Sequence, residues 1–199
     1  LVLQALTYVC AAAVWQRVLA HLGERRRVSA LTPLSVAKLF TDQAMPSGGL
    51  SGNVLFVHAM RRRGVEAPAA MAALVASMIG HYLANLMLAA LVALVLAQHG
   101  LLHPALGVLL VAYGAFALLL IRVVSAVAGR RGLPRWLPVR RFARAARLLD
   151  ALARMAPGVL RVRVLLGVGV LQAAIIVLDT ATLWVMLWAL GRPVSPGLV

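Results

Sequence analysis

Residues 164–190 read VLLGVGVLQAAIIVLDTATLWVMLWAL and carry a single ionisable side chain, Asp179. A helix rises about 1.5 Å per residue, so about 20 apolar residues are needed to cross a hydrocarbon core of roughly 30 Å. This stretch meets both the length and the composition that a crossing requires. We therefore predict a membrane-spanning helix over residues 164–190.

Three more stretches have the same character, at residues 1–20, 67–97 and 104–128. The chain is 63% hydrophobic, and a soluble domain of this size could not keep so much apolar surface from water. The expected fold class is therefore all-α. We predict one transmembrane domain over residues 1–199, a polytopic integral membrane helical bundle.

The charges predict the orientation of these helices. The chain has 20 Lys and Arg against 5 Asp and Glu, and most lie between the apolar stretches. Loop 98–103 has no Arg or Lys, whereas residues 129–163 hold ten arginines. Because positive loops stay in the cytoplasm, the second loop should be inside and the first outside. In a membrane protein, this excess of basic residues indicates anionic phospholipids as partners, not nucleic acid.

The segment between the first two arginine clusters, Arg25–Arg27 and Arg61–Arg63, is mostly apolar but interrupted in its middle by proline and glycine. Residues 44–53 read AMPSGGLSGN, with about a dozen largely apolar residues on each side. Proline and glycine interrupt helices, and each half would reach about halfway across a bilayer. We predict a re-entrant half-helix hairpin over residues 31–60. The alternative is a pair of amphipathic helices lying on the inner surface.

The inner loop, residues 129–163, is predicted to be a basic amphipathic helix on the anionic leaflet. Its apolar residues recur at helical spacing, while the arginines fall mostly elsewhere. A direct role in handling headgroups is the alternative. The candidate lipid-surface contacts are all arginines of the cytoplasmic segments: Arg61, Arg62, Arg63, Arg140, Arg141, Arg144 and Arg147.

Polar residues within the spans are candidates for a substrate path, because such residues are costly in lipid. Asp179 lies near the middle of its span, with Gln172 about two turns earlier. His81 and Asn85 share a helix face with Ser77. Each group has a second interpretation as interhelical hydrogen bonds that fix packing. A partnership between Asp179 and His81 is a further possibility.

The hairpin break supplies the other path candidates. A second half-helix that starts near Ser51 would offer free N–H groups to a phosphate, and Asp42 could cap those groups from the side. A plain N-cap role for Ser51 or Asn53 is the alternative. The candidates around the break are Asp42, Gln43, Ser47, Gly48, Gly49, Ser51, Gly52 and Asn53.

The chain lacks the usual catalytic and nucleotide motifs. We find no phosphate-binding loop, no His-Glu-x-x-His, no Gly-x-Ser-x-Gly and no paired carboxylates on one helix face. The single cysteine, Cys10, rules out a disulfide. We therefore predict no metal and no cofactor, and the case for an enzyme stays open. The chain starts inside an apolar stretch, so we expect it to be a fragment of a longer protein.

Several segments resemble a known family. They are Thr41–Asn53, Arg62-Arg63-Gly64-Val65, Leu178–Trp184 and Ala189-Leu190-Gly191, and together they resemble the flippase-like family that includes the membrane region of lysylphosphatidylglycerol synthases. Where that family often has Gly-Gly-Asp and then Arg three residues later, this chain has Ser51-Gly52-Asn53 and then Phe56.

The resemblance implies a multi-pass plasma-membrane protein that handles polar or anionic phospholipids. The first hypothesis is flippase-like lipid translocation. The second is the membrane module of an aminoacyl-phospholipid synthase. The third is a non-catalytic scaffold, with a homo-oligomer formed through small-residue faces as one possible arrangement.

The hairpin hypothesis predicts that positions 25 and 62 face the same compartment. Single cysteines introduced as Arg25→Cys and Arg62→Cys should both react with a membrane-impermeant thiol reagent from the cytoplasmic side only. A cysteine at position 99, in the outer loop, should react from the other side. Labelling of positions 25 and 62 from opposite sides would refute the hairpin.

Overall fold

The computed structural model of the protein describes residues 1–45, 50–100, 103–129 and 161–191. Within these ranges the chain forms six helices and no strand. In chain order they are α1 Val2–His21, α2 Val28–Ala44, α3 Leu50–Arg62, α4 Ala67–Gln98, α5 Pro104–Gly129 and α6 Val162–Ala189. The predicted all-α fold class is confirmed.

Three helices, α1, α4 and α6, are long and apolar enough to cross a membrane. In the most hydrophobic windows of α4 and α6 only 17% of the residues are buried inside the protein. A water-soluble bundle could not expose so many apolar side chains, so this exposure is typical of a membrane protein. Helix α5 has 26 residues, of which Pro104–Leu119 form an apolar stretch. The crossing by α5 remains a prediction.

Helices α1, α4 and α6, which we call the spanning helices because of their length and composition, pack against one another and form the centre of the fold. Helix α2 packs on α1, α3 packs on α4, and α2 and α3 pack together. The core between them is well filled: the ring of Phe56 from α3 is fully buried and lies 4.4 Å, centroid to centroid, from the ring of Trp15 on α1. Phe56 is thus a core residue.

Small residues allow the spanning helices to approach closely. The buried face of α4 is rich in alanine, and Gly80 on that face lies directly against the side chain of Val168 on α6. Lipid tails are as apolar as the helices, so association depends on close van der Waals packing more than on the hydrophobic effect. The α4–α6 contact therefore requires the absence of a side chain at position 80.

Helices α2 and α3 form a hairpin of two short helices. At 17 and 13 residues they would extend about 25 and 20 Å, so each is too short to cross the hydrocarbon core alone. At the open end, Arg63 donates a hydrogen bond of 2.8 Å to the carbonyl of Ala30. A Cβ at position 64 would lie 3.9 Å from the guanidinium of Arg26. The first two arginine clusters are therefore neighbours at one end of the fold.

Two parts of the sequence predictions lie outside the described residues. The first is the cytoplasmic loop over residues 130–160, with Arg140, Arg141, Arg144 and Arg147. The second is the break itself, with Ser47, Gly48 and Gly49.

Adding a single methyl group at position 80 tests the close α4–α6 contact. A Cβ there would collide with Val168, and overpacking of this kind costs about 1–3 kcal/mol. Gly107→Ala is the matched control, because nothing lies within 4 Å of that position. We expect Gly80→Ala to lower the thermal stability in detergent, measured by tryptophan fluorescence, and Gly107→Ala to leave it unchanged or raise it. Equal effects would contradict the close packing.

Candidate functional site

A cavity of about 380 Å³ lies between the spanning helices and the α2–α3 hairpin. Its lining combines apolar side chains such as Trp15 and Leu74 with polar ones. Five helices contribute polar side chains to it. These are Gln4, Thr7, Ser35, Lys38, Asp42, Asn53, Ser77, His81, Gln172 and Asp179.

The cavity lies deep in the bundle. Measured along each helix, Thr7, His81 and Asp179 are about 20–25 Å from the end that adjoins an arginine cluster. If those ends mark the inner face of the membrane, the three side chains lie near the middle of the bilayer or slightly beyond it. On that assumption, the polar groups lie together at the depth where isolated polar groups are most costly.

The hairpin side of the cavity is organised by the carboxylate of Asp42. Its Oδ2 accepts a bond of 2.7 Å from Lys38 Nζ, one turn earlier on α2. Its Oδ1 accepts a bond of 2.8 Å from the backbone N–H of Gly52, in the first turn of α3. Helix N-termini carry unpaired N–H groups and favour negative charge. Asp42 therefore caps α3 from the side and links the two helices.

The tight fit at this contact explains why position 52 is glycine. Gly52 is buried, and a Cβ at this position would collide with the carboxylate of Asp42. Ser51 donates a hydrogen bond of 3.2 Å to the carbonyl of Thr41, adding a second link across the hairpin. Because α3 begins at Leu50, Ser51 and Asn53 lie within its first turn and neither precedes the helix.

Asp179 on α6 is the second carboxylate of the cavity. It accepts a hydrogen bond of 3.3 Å from the hydroxyl of Thr7 on α1. Ion pairs among the described residues are formed by Glu24 and Asp42, so no described cation balances Asp179. The side chain remains exposed. It is available to bind a cationic or hydrogen-bonding group that enters the cavity.

The remaining polar wall comes from α4 and α6. Gln172 is buried and its Nε2 donates to the hydroxyl of Ser77 at 3.0 Å. Asn85 contacts the ring of His81 at 3.1 Å and donates to the His81 carbonyl at 2.9 Å. These side chains therefore combine the two interpretations that the sequence left open. Gln172 and Ser77 fix the packing of two helices and also line the cavity.

The structure separates the sequence candidates into two groups. Asp42, Asn53, His81, Gln172 and Asp179 line one cavity although they come from four helices. His81 and Asp179 share that cavity, while their hydrogen bonds go to Asn85 and Thr7.

The other described candidates lie beside the cavity. Asn85 supports His81, Gly52 binds Asp42, and Ser51 contacts Thr41, but none of the three lines the cavity itself. Gln43 is exposed and does not line the cavity.

Four polar cavity residues are not among the sequence candidates: Gln4, Thr7, Ser35 and Lys38. Two of them, Lys38 and Thr7, carry a detectable signal in the sequence. Lys38 precedes Asp42 by four residues, the spacing of a helical ion pair. Thr7 is a polar residue within an apolar stretch. Both signals are weak alone, because many such pairs lie on exposed surfaces and many such hydroxyls bond to their own helix.

The polar groups of the cavity are suited to binding a polar molecule. The described residues contain no group of three or more His, Cys, Asp or Glu side chains placed to hold a metal ion. One cation, two carboxylates, an imidazole and several amides and hydroxyls can instead hydrogen-bond to a polar molecule from several sides.

The sequence was compared with known families and proteins. The sequence model of the family described as the lysylphosphatidylglycerol synthase TM region matches residues 1–199. The chain belongs to this family. No curated protein and no solved structure gives a significant match. Membership in the lysylphosphatidylglycerol synthase TM region family agrees with the apolar helices, and the protein is a membrane protein of a family whose name associates it with phospholipid modification.

Removing the carboxylate of Asp42 tests its role in this member of the lysylphosphatidylglycerol synthase TM region family. Asp42→Ala would leave Lys38 and the N–H of Gly52 without their partner, at a cost of about 1–3 kcal/mol. Gln43→Ala is the neighbouring control, because its side chain is exposed and such changes usually stay within about 0.5 kcal/mol. We expect only Asp42→Ala to lower the thermal stability in detergent. Equal stability of the two variants would contradict the linking role.

Proposed function

We propose that this protein handles phospholipids in the plasma membrane, and that the cavity receives the polar headgroup during flippase-like translocation. The observation that carries the proposal is the meeting of Lys38, Asp42, His81 and Asp179 in one cavity among membrane-spanning helices. A headgroup must lose its hydration to pass the hydrocarbon core. Polar side chains at that depth replace the lost hydrogen bonds.

A re-entrant hairpin is part of the proposal, and the lining of the cavity supports it. Asp179 lies well inside a spanning helix of 28 residues, and Asp42 near the end of α2 lines the same cavity. A hairpin lying flat on the inner surface could not place Asp42 beside Asp179. The neighbouring arginines Arg26 and Arg63 would then mark the inner face at which both short helices begin and end.

The charges of the cavity suit the parts of a phospholipid headgroup. Lys38 is the cation available for the phosphate, since its partner Asp42 is also held by the N–H of Gly52 and need not move when Lys38 turns. Asp179 and the nearby amides and hydroxyls can bind the hydroxyl or amine groups of the headgroup. The arginines at the inner face would attract anionic phospholipids to the entrance.

A second function is favoured by the family itself. The matching family is described as the membrane region of a synthase, so the cavity could present a phospholipid to a soluble transferase domain of the same protein. In that case the full-length reading frame encodes a long soluble extension, and its removal abolishes lipid modification without abolishing headgroup binding. A scaffold without lipid activity is the third candidate, supported only by open glycine positions such as Gly107 and Gly169.

Headgroup translocation by the full-length protein in liposomes tests the proposal. The two variants are Asp179→Asn, which keeps the shape and the acceptor oxygen for Thr7, and Lys38→Met. Each removes one charge-assisted contact worth about 1.5–3 kcal/mol, so we expect roughly a tenfold or greater loss of the translocation rate. Lys38→Arg keeps the charge and should retain more of the rate than Lys38→Met.

Gln43→Ala serves as the control, since this exposed residue does not line the cavity. It should translocate headgroups like the unaltered protein. The proposal is refuted if the unaltered protein moves headgroups no faster than empty liposomes, or if Asp179→Asn and Lys38→Met are as active as Gln43→Ala.

A further inference from the structure

A second cavity, of about 430 Å³, runs between α4 and α5 and is almost entirely apolar. Helix α4 contributes Ala89, Ala93 and Leu96 to its walls, and α5 contributes Leu106 and Leu110. We call it the α4–α5 groove. From Ala89 to Leu96 it follows α4 for about 10 Å. Aliphatic walls of this kind offer nothing to a headgroup, so the groove suits a hydrocarbon occupant.

The groove and the polar cavity are adjacent, separated by one pair of aromatic rings. Tyr82 on α4 lines the polar cavity, and Tyr113 on α5 lines the groove. The centroids of the two rings are 5.9 Å apart. Phe116 packs edge-on against Tyr82 at 5.3 Å. The contact between these rings thus separates the polar cavity from the apolar groove.

The walls of the groove favour a hydrocarbon chain as the occupant. Apart from the ring of Tyr113 they are aliphatic, and a chain can lie along the groove for its length of about 10 Å. Burying such a chain against aliphatic walls is favourable at the level of individual methylene groups.

We propose that the α4–α5 groove binds an acyl chain of the same lipid whose headgroup enters the polar cavity, with Tyr82 and Tyr113 at the junction between them. The inference rests on the proposed function for its headgroup half. The groove lies toward the ends of α4 and α5 that flank the loop at residues 98–103, predicted to be outside. The bound chain therefore lies in the outer half of the bilayer.

Photo-crosslinking of the full-length protein in liposomes tests the location of the chain directly. The probe is phosphatidylglycerol with a diazirine in the middle of one acyl chain, and the readout is the position of the labelled residues. We expect labels on the α4 and α5 walls of the groove, competed away by unlabelled long-chain phosphatidylglycerol. Competition by glycerophosphoglycerol, which has no acyl chain, should be weak. Labels spread evenly over the lipid-facing surface would overturn the inference.

A pair of matched variants on α4 tests the specificity of the groove. Ala93→Phe places a ring in the groove, whereas Ala90→Phe places the same ring on the same helix at an exposed position outside it. We expect Ala93→Phe to weaken competition by long-chain phosphatidylglycerol about tenfold, the effect of losing burial of about two methylene groups. Ala90→Phe should have no such effect.

The outcomes separate this inference from the proposed function. Groove labelling that is lost in Ala93→Phe supports the inference, whether or not Asp179→Asn alters translocation. Equal labelling in Ala93→Phe and Ala90→Phe overturns it, even if the cavity variants lose translocation. A disulfide between two copies carrying Ala93→Cys would show that a second copy covers the groove and would also overturn it. If Ala93→Phe fails to fold, the positions labelled in the unaltered protein still test the inference.

Discussion

The carboxylate of Asp42, bound at once to Lys38 and to the N–H of Gly52, is the interaction on which the architecture of the cavity depends. Two helices of 17 and 13 residues share only a short contact, so apolar packing alone gives them little reason to stay paired. A charged acceptor that satisfies a helix terminus and a lysine together supplies that reason. The pairing in turn carries Lys38, Asp42 and Asn53 to the side of Asp179.

The remaining packing is of the kind expected for helices that are surrounded by lipid and not by water. The core combines a tilted aromatic pair, Trp15 and Phe56, with an alanine-rich face on α4 and the Gly80–Val168 contact. Large residues fill the space next to the hairpin, and small ones allow the spanning helices to approach. The apolar faces left outside need no protein partner, because lipid covers them. The polar cavity is thus framed by contacts that depend on shape more than on burial from water.

The class of the protein and most helix bounds could be predicted from the sequence, because length and composition of apolar stretches are nearly sufficient in lipid. Asp42, His81 and Asp179 were also found, since ionisable residues are rare in such stretches. Lys38 was missed because a helical ion pair looks the same on a surface as in a cavity. The core role of Phe56 was missed because it depends on Trp15, which is distant in sequence. Which helices contact one another depends on packing between residues that are distant in sequence, and no local sequence pattern encodes it.

The length of α4 has a consequence for how the protein responds to its membrane. At 32 residues the helix extends about 48 Å, well beyond a hydrocarbon core of roughly 30 Å, so it must incline or project past the headgroups. Helix α4 is the only described helix that borders both the polar cavity and the α4–α5 groove. A change in bilayer thickness would alter its inclination and move both compartments together. Hydrophobic mismatch on α4 would therefore act on both compartments at once.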